Sequence, residues 1–171
     1  MKGLILWMTL LSMGSTLDQN KIEVYIFMHE SCKITQFYTH TLNELHADFA
    51  DESIVFKGLF PSPQSDTEKI KAFKEQYQIK FQLNRDFGQD LVKKFDAKVT
   101  PEVVVFDVEK QKVLYQGRID NSYFRVGKRR TVTTTSELKE VLKLIKQDLP
   151  VDIKDQPAIG CFIPSIRKAQ N

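Results

Sequence analysis

The 171-residue chain is poor in the residues that usually announce chemistry: it has two cysteines, three histidines and one tryptophan. Two cysteines, Cys32 and Cys161, are too few for a disulfide-rich scaffold. With His29, His40 and His46 they complete no four-ligand spacing, so neither a metal nor another cofactor is expected. Charge of one sign is scarce too, with 25 Lys and Arg against 22 Asp and Glu and a formal net charge of +3. The basic residues are spread rather than blocked, which speaks against a nucleic-acid partner. The densest group, "KRR" at 128–130, reads as a solvated loop. Long apolar runs are missing as well. The first, Gly3 to Met13, is too short to cross a bilayer as a helix.

What is present is an ordinary globular composition, 42% apolar and 27% charged, in a length that suits one domain with a sizeable core. The start, "MKGLILWMTLLSMGS", sets a Lys-bearing end before an apolar run and then small residues, the layout of a secretory signal peptide over residues 1–15. The alternative is a first strand or buried helix of the fold. Against it, "TLDQNK" is polar and the core pattern starts afresh at Ile22. The expectation is a single domain over 16–171 with a tail from about 150, periplasmic or secreted. No cysteine near the cut supports a lipid anchor, so no stable membrane anchor is expected after cleavage.

Along the chain, "IEVYIFM" (22–28) reads as a strand buried on both faces. Ser31 is a candidate N-cap for a helix whose inward face carries Ile34, Tyr38, Leu42, Leu45 and Phe49. "SIVFKGLF" (53–60) is a second strand, and "SDTE" (65–68) a capping box opening a second helix. A short extended piece at 79–83 and a small helix around 87–95 follow. "VTPEVVVFD" (99–107) and "KVLYQG" (112–117) form a hairpin, and "TTSE" (134–137) starts a closing helix. The tail after Pro150 is loop-like. This order predicts an α/β sandwich, a mixed sheet flanked by helices.

Four stretches carry a family resemblance: "YIFMHESCKITQFYTHTLNEL", "VTPEVVVFD", "VLYQGRID" and the closing "AIGCFI". With these the chain resembles the redoxin branch of the thioredoxin superfamily, the alkyl hydroperoxide reductase and thiol-specific antioxidant relatives, over roughly residues 22–163. The resemblance implies a thioredoxin-like fold. It matches Cys32 to the nucleophilic cysteine after the first core strand and Cys161 to a late Gly-Cys. It makes Pro101, preceded by Thr100, the cis-proline facing that cysteine and a substrate-positioning pair, and it places Arg118 in the Gly-Arg-Ile-Asp stretch as a third substrate-positioning residue, a donor to a peroxide or a thiolate. More faintly it points to Arg129 or Arg130 as a donor. It implies a thiol or disulfide protein, or a small hydroperoxide, as partner. Two departures stand out. Thr35 occupies the place of a thioredoxin's second cysteine, and His29 that of the Thr or Ser of peroxiredoxins.

The residues themselves argue for a working thiol. A cysteine at the first helical position meets free N–H groups and the positive end of the helix dipole, and Lys33 adds a cation while Glu30 opposes it. His29, three residues earlier, is a candidate donor or base. The alternative is a buried, inert cysteine. Cys161 is open between three roles: a resolving thiol, one end of a fixed structural disulfide, or a residue too distant to meet Cys32. The rival function is therefore a non-catalytic binding or structural module of the same fold.

Overall fold

The computed structural model describes residues 21–166. The proposed signal peptide, 1–15, lies outside them. Five strands form the central sheet: β1 (Ile22–Phe27), β2 (Ile54–Phe60), β3 (Gln82–Arg85), β5 (Glu102–Asp107) and β6 (Lys112–Gly117), in the order β3-β2-β1-β5-β6. β1 pairs parallel with β2, which pairs parallel with β3; β5 runs antiparallel to both β1 and β6. All six residues of β1 are buried, as befits a central strand covered on both faces.

Helices α1 (Lys33–Phe49), α2 (Thr67–Gln76) and α4 (Glu137–Lys146) lie on one face. There Tyr38, Leu42, Leu45, Phe73, Leu138 and Leu142 pack on Val24, Ile26 and Val105 of the sheet. The other face is smaller. Short α3 (Asp90–Phe95) brings Phe95 against Tyr25, Phe27 and Phe106. Among the described residues no helix is long and apolar enough to cross a membrane.

Four local expectations shift. The N-cap of α1 is Cys32, not Ser31, because the turn at 29–32 is closed by the Cys32 N–H donating to the His29 carbonyl at 3.1 Å. The cap of α2 is Asp66, which accepts from the Lys69 N–H, while the Ser65 hydroxyl donates to Glu30 at 2.5 Å. The capping box at 134–137 does not form: Glu137 is engaged by Arg118 and Thr135, and the N-cap of α4 is Ser136, with no side-chain bond among the described residues. The third strand begins at Gln82 rather than Ile79.

Two features are absent from the sequence reading. "KRR" belongs to a small hairpin, β7 (Tyr123–Arg125) and β8 (Lys128–Arg129), with Arg129 over the Phe37 ring. The tail is not plain loop: β9 (Cys161–Phe162) pairs antiparallel with β4 (Val99–Thr100).

Candidate functional site: a disulfide between the first helix and the tail

The site forms where β1 runs out. Met28 to Ser31 carry the chain from the strand into α1, and Cys32 is the hinge between them, extended in backbone (φ −76°, ψ 115°), while its carbonyl already accepts the first helical bond from Gln36. The turn is held firmly. The Gln36 side chain donates to the Glu30 carbonyl at 2.7 Å, and Ser65 ties down the Glu30 carboxylate. Cys32 is 2% exposed.

Its sulfur is joined to that of Cys161 in a disulfide spanning 129 residues, with the two Cα atoms 6.1 Å apart, inside the ordinary range for such a bond. Of the three roles left open for Cys161, excessive distance is thereby excluded. The Cys32 sulfur also lies 3.1 Å from the Thr100 carbonyl oxygen. The Thr100–Pro101 peptide bond is cis, and both residues are buried. Thr100 faces Cys161 across the β4–β9 pair, and its hydroxyl donates to the Cys161 carbonyl at 3.4 Å. Cys32, Thr100 with Pro101, and Cys161 thus come together from three separate parts of the chain.

The tail reaches this place because two glycines let it. A Cβ on Gly160 would stand 2.2 Å from the Thr100 carbonyl oxygen, and one on Gly117 2.1 Å from that of Gln156. Only a residue without a side chain allows such approach. The tail is held by more than the disulfide. The Arg118 N–H donates to the Gln156 carbonyl and the Ile163 N–H to that of Lys98, both at 3.0 Å. Gln89 donates to the Pro164 carbonyl at 2.7 Å and accepts from the Ile166 N–H at 3.0 Å. Ile163 is buried in the smaller core.

His29 and Arg118 are engaged elsewhere. The His29 Nδ1 accepts from the Ser31 N–H at 3.1 Å, and it also lies 3.8 Å from a Glu30 oxygen. One nitrogen cannot both accept that bond and carry a proton for the carboxylate. The shorter contact from an obligatory donor decides for the acceptor role, with the neutral ring's proton on Nε2. Among the described residues the imidazole bonds neither sulfur.

The Arg118 guanidinium is paired with Glu137 and reaches Thr135 at 3.5 Å. Its hydrogen bond with Glu137 holds the guanidinium above its ordinary pKa. Burial pushes the Glu137 carboxyl up, but the bonds from Arg118 and Thr135 outweigh it, and the net shift is downward. Arg118 also borders a small cavity with Pro101, Tyr38, Asp120 and Ile159. There the Tyr38 hydroxyl donates to Asp120 at 2.6 Å; burial first, then that carboxylate, raises the phenol far above its usual value.

Thr35, in the place of a second cysteine, is fully buried and its hydroxyl has no partner among the described residues. Gln89 is the residue that sequence reasoning passed over. Gly160 had a signal, a glycine directly before the tail cysteine. Gln89 had none, because its three bonds are all to distant segments.

No family model matches the chain, and no curated protein does. Among solved structures, an uncharacterized conserved protein from Geobacillus kaustophilus superposes with a TM-score of 0.75 at 25% identity, covering 88% of this chain and 80% of that one. A hypothetical protein from Sinorhizobium meliloti 1021 gives 0.72 at 20% identity, covering 85% and 80%. The thioredoxin domain of a thiol-disulfide oxidoreductase from Bacteroides vulgatus gives 0.51 at 12% identity, covering 77% and 81%. The fold is thioredoxin-like. Within such folds the place after the first core strand and beside the cis peptide is occupied here by Cys32, with a partner sulfur that comes from the far end of the chain.

Proposed function

We propose that the protein is an exported thiol–disulfide redox protein whose couple is Cys32 with Cys161. The observation that carries this reading is the disulfide at the N-cap of α1, against Thr100 and Pro101. A thiolate released at Cys32 stands where an N-cap side chain accepts bonds from the free N–H groups of the helix start, at the positive end of the dipole. Among the described residues no side-chain bond caps α1 in the disulfide form, which leaves that place to the thiolate. The thiolate is the nucleophilic form of the sulfur, and a sulfur stabilised as thiolate is also a good leaving group.

Export agrees with the apolar start of the chain and with a disulfide, which persists in oxidising compartments. The redoxin-branch resemblance admits a hydroperoxide as substrate. Disulfide exchange is the better fit, because the structure already pairs Cys32 with a second sulfur. Thr100 and Pro101 then act as positioning residues, and Arg118 through its hold on the tail at Gln156.

A second reading has its own support: the hydrogen bonds of the tail favour a fixed structural disulfide. Equilibration of the folded protein in dithiol/disulfide buffers, followed by rapid alkylation and mass counting, separates the two. A reversible two-thiol transition at potentials reached by protein dithiols supports the redox couple. A bond reduced only on unfolding identifies the structural staple.

A further inference from the structure

Thiol exchange proceeds by attack on one sulfur of a disulfide while the other leaves, and the two sulfurs here differ in access. Cys32 is 2% exposed, covered by the tail and by the Thr100 carbonyl. Cys161 is half-buried, and the next residue, Phe162, is 82% exposed. The edge of β4 beside Cys32 is already taken by β9, and Gly160 sits so close to Thr100 that no second extended chain fits between them. Cys161 is thus the more exposed of the two, and an incoming thiol reaches Cys32 only by displacing the tail.

Building on the redox reading above, we infer that Cys161 is the sulfur that meets the reaction partner, while Cys32 is the enclosed sulfur that opens and closes the internal bond. In the reducing direction a partner thiolate attacks the Cys161 Sγ. The Cys32–Cys161 bond breaks, and its electron pair leaves on Cys32 as a thiolate at the helix N-cap. A partner dithiol then uses its second thiolate to attack its own sulfur in the mixed disulfide, releasing Cys161 as a thiolate that takes up a proton. The partner ends as a disulfide and the protein as a dithiol, two electrons having moved. In the oxidising direction the Cys161 thiolate attacks a partner disulfide, and the Cys32 thiolate then attacks the Cys161 Sγ and expels the partner thiol. The hydrogen bonds at Gln156, Ile163 and Pro164 keep Cys161 within reach of Cys32 between the two steps.

The test uses the full chain and glutathione as probe. Oxidised wild-type protein is mixed with excess reduced glutathione, quenched in acid within the first turnover and mapped by peptide mass. Glutathione on the Cys161 peptide is the expected result; glutathione on the Cys32 peptide overturns the inference. In a second arm, reduced Cys32→Ser and Cys161→Ser variants meet oxidised glutathione, with tail docking followed by amide exchange at Ile163. Cys161 in the first should form its mixed disulfide at least tenfold faster than Cys32 in the second. Adding Gly160→Ala to Cys161→Ser should lift the tail and speed Cys32. Equal or faster reaction at Cys32 beneath a docked tail overturns the inference and leaves the redox couple standing. A wild-type disulfide that resists reduction by excess dithiol in the folded protein overturns both.

Discussion

The two ends of the disulfide belong to regions built in different ways. Cys32 grows out of the central sheet: β1 is buried throughout, α1 lays Tyr38, Leu42 and Leu45 on it, and the turn between them is locked by Gln36 and Ser65. Cys161 belongs to a segment with a single two-residue strand among the described residues, one buried apolar residue, Ile163, and only partly buried Val151, Ile153 and Ile159 against the larger core. The first region is held by hydrophobic area, which is cooperative and non-directional. The second has thinner apolar packing and is held besides by a handful of hydrogen bonds, two close glycine contacts and one covalent bond. A reactive pair with one sulfur in each region joins a rigid reference point to an arm whose attachment is separable from the stability of the core.

Cutting the covalent link should test that separation most severely. Closing a loop of 129 residues stabilises the native state by about 5 kcal/mol on the chain-entropy account. Reduction, or Cys161→Ser, should lower the free energy of unfolding by up to that amount in denaturant titrations. Hydrogen exchange should speed at Ile163 and Arg118, the tail's attachment points, while β1 and β5 stay the slowest-exchanging strands. Loss of protection in β1 equal to that at Ile163 would show the two regions to be one cooperative unit.

A smaller effect belongs to the pair that braces the tail's anchor. Arg118 holds Gln156 through its backbone and Glu137 through its side chain. The Glu137 carboxyl titrates below its ordinary value in the folded protein. Its contribution is therefore complete above about pH 4.5 and is lost as pH falls through the lower folded value. Glu137→Gln should cost about 1–2 kcal/mol at pH 7, the worth of a part-exposed bond to a charged group. It should also flatten the acid limb of a stability–pH profile. Glu23 and Asp107, lowered as well, keep part of that limb in the variant. An unchanged limb would remove Glu137 from the account.

The smallest effect has the opposite sign and lies on the core side. The Thr35 hydroxyl is buried and has no partner among the described residues. Thr35→Val keeps the shape and removes the unsatisfied group, so the oxidised protein should gain about 1 kcal/mol in thermal or chemical unfolding. A loss of stability would mean that the hydroxyl is bonded in solution, and would place a polar contact on the core side as well.

What was legible from the residues follows the same division. The strands at 22–27, 54–60, 102–107 and 112–117 declare themselves through unbroken or alternating apolar runs, and α1 through its spacing of Ile34, Tyr38, Leu42 and Leu45. The caps were less legible. Ser31, Ser65 and Ser136 all have the chemistry of a cap, yet Ser65 bonds Glu30, 35 residues earlier, and Cys32 and Asp66 take the cap positions. Near Arg118 the sequence offered a cation but not its partner, because Glu137 lies 19 residues on and looked like half of a capping box.

The sequence by itself determined the alternation of strands and helices and the place of Cys32 between β1 and α1. Those follow from local periodicity, which each short stretch carries within itself. Only the tertiary structure decided that Cys161 meets Cys32, that β9 fills the edge of β4, and that Gly160 and Gly117 are the points where the tail touches down. Each of these joins residues dozens of positions apart, and a two-residue strand has no periodicity of its own to read. Such contacts exist only once the hydrophobic faces of the sheet have fixed where the tail can run.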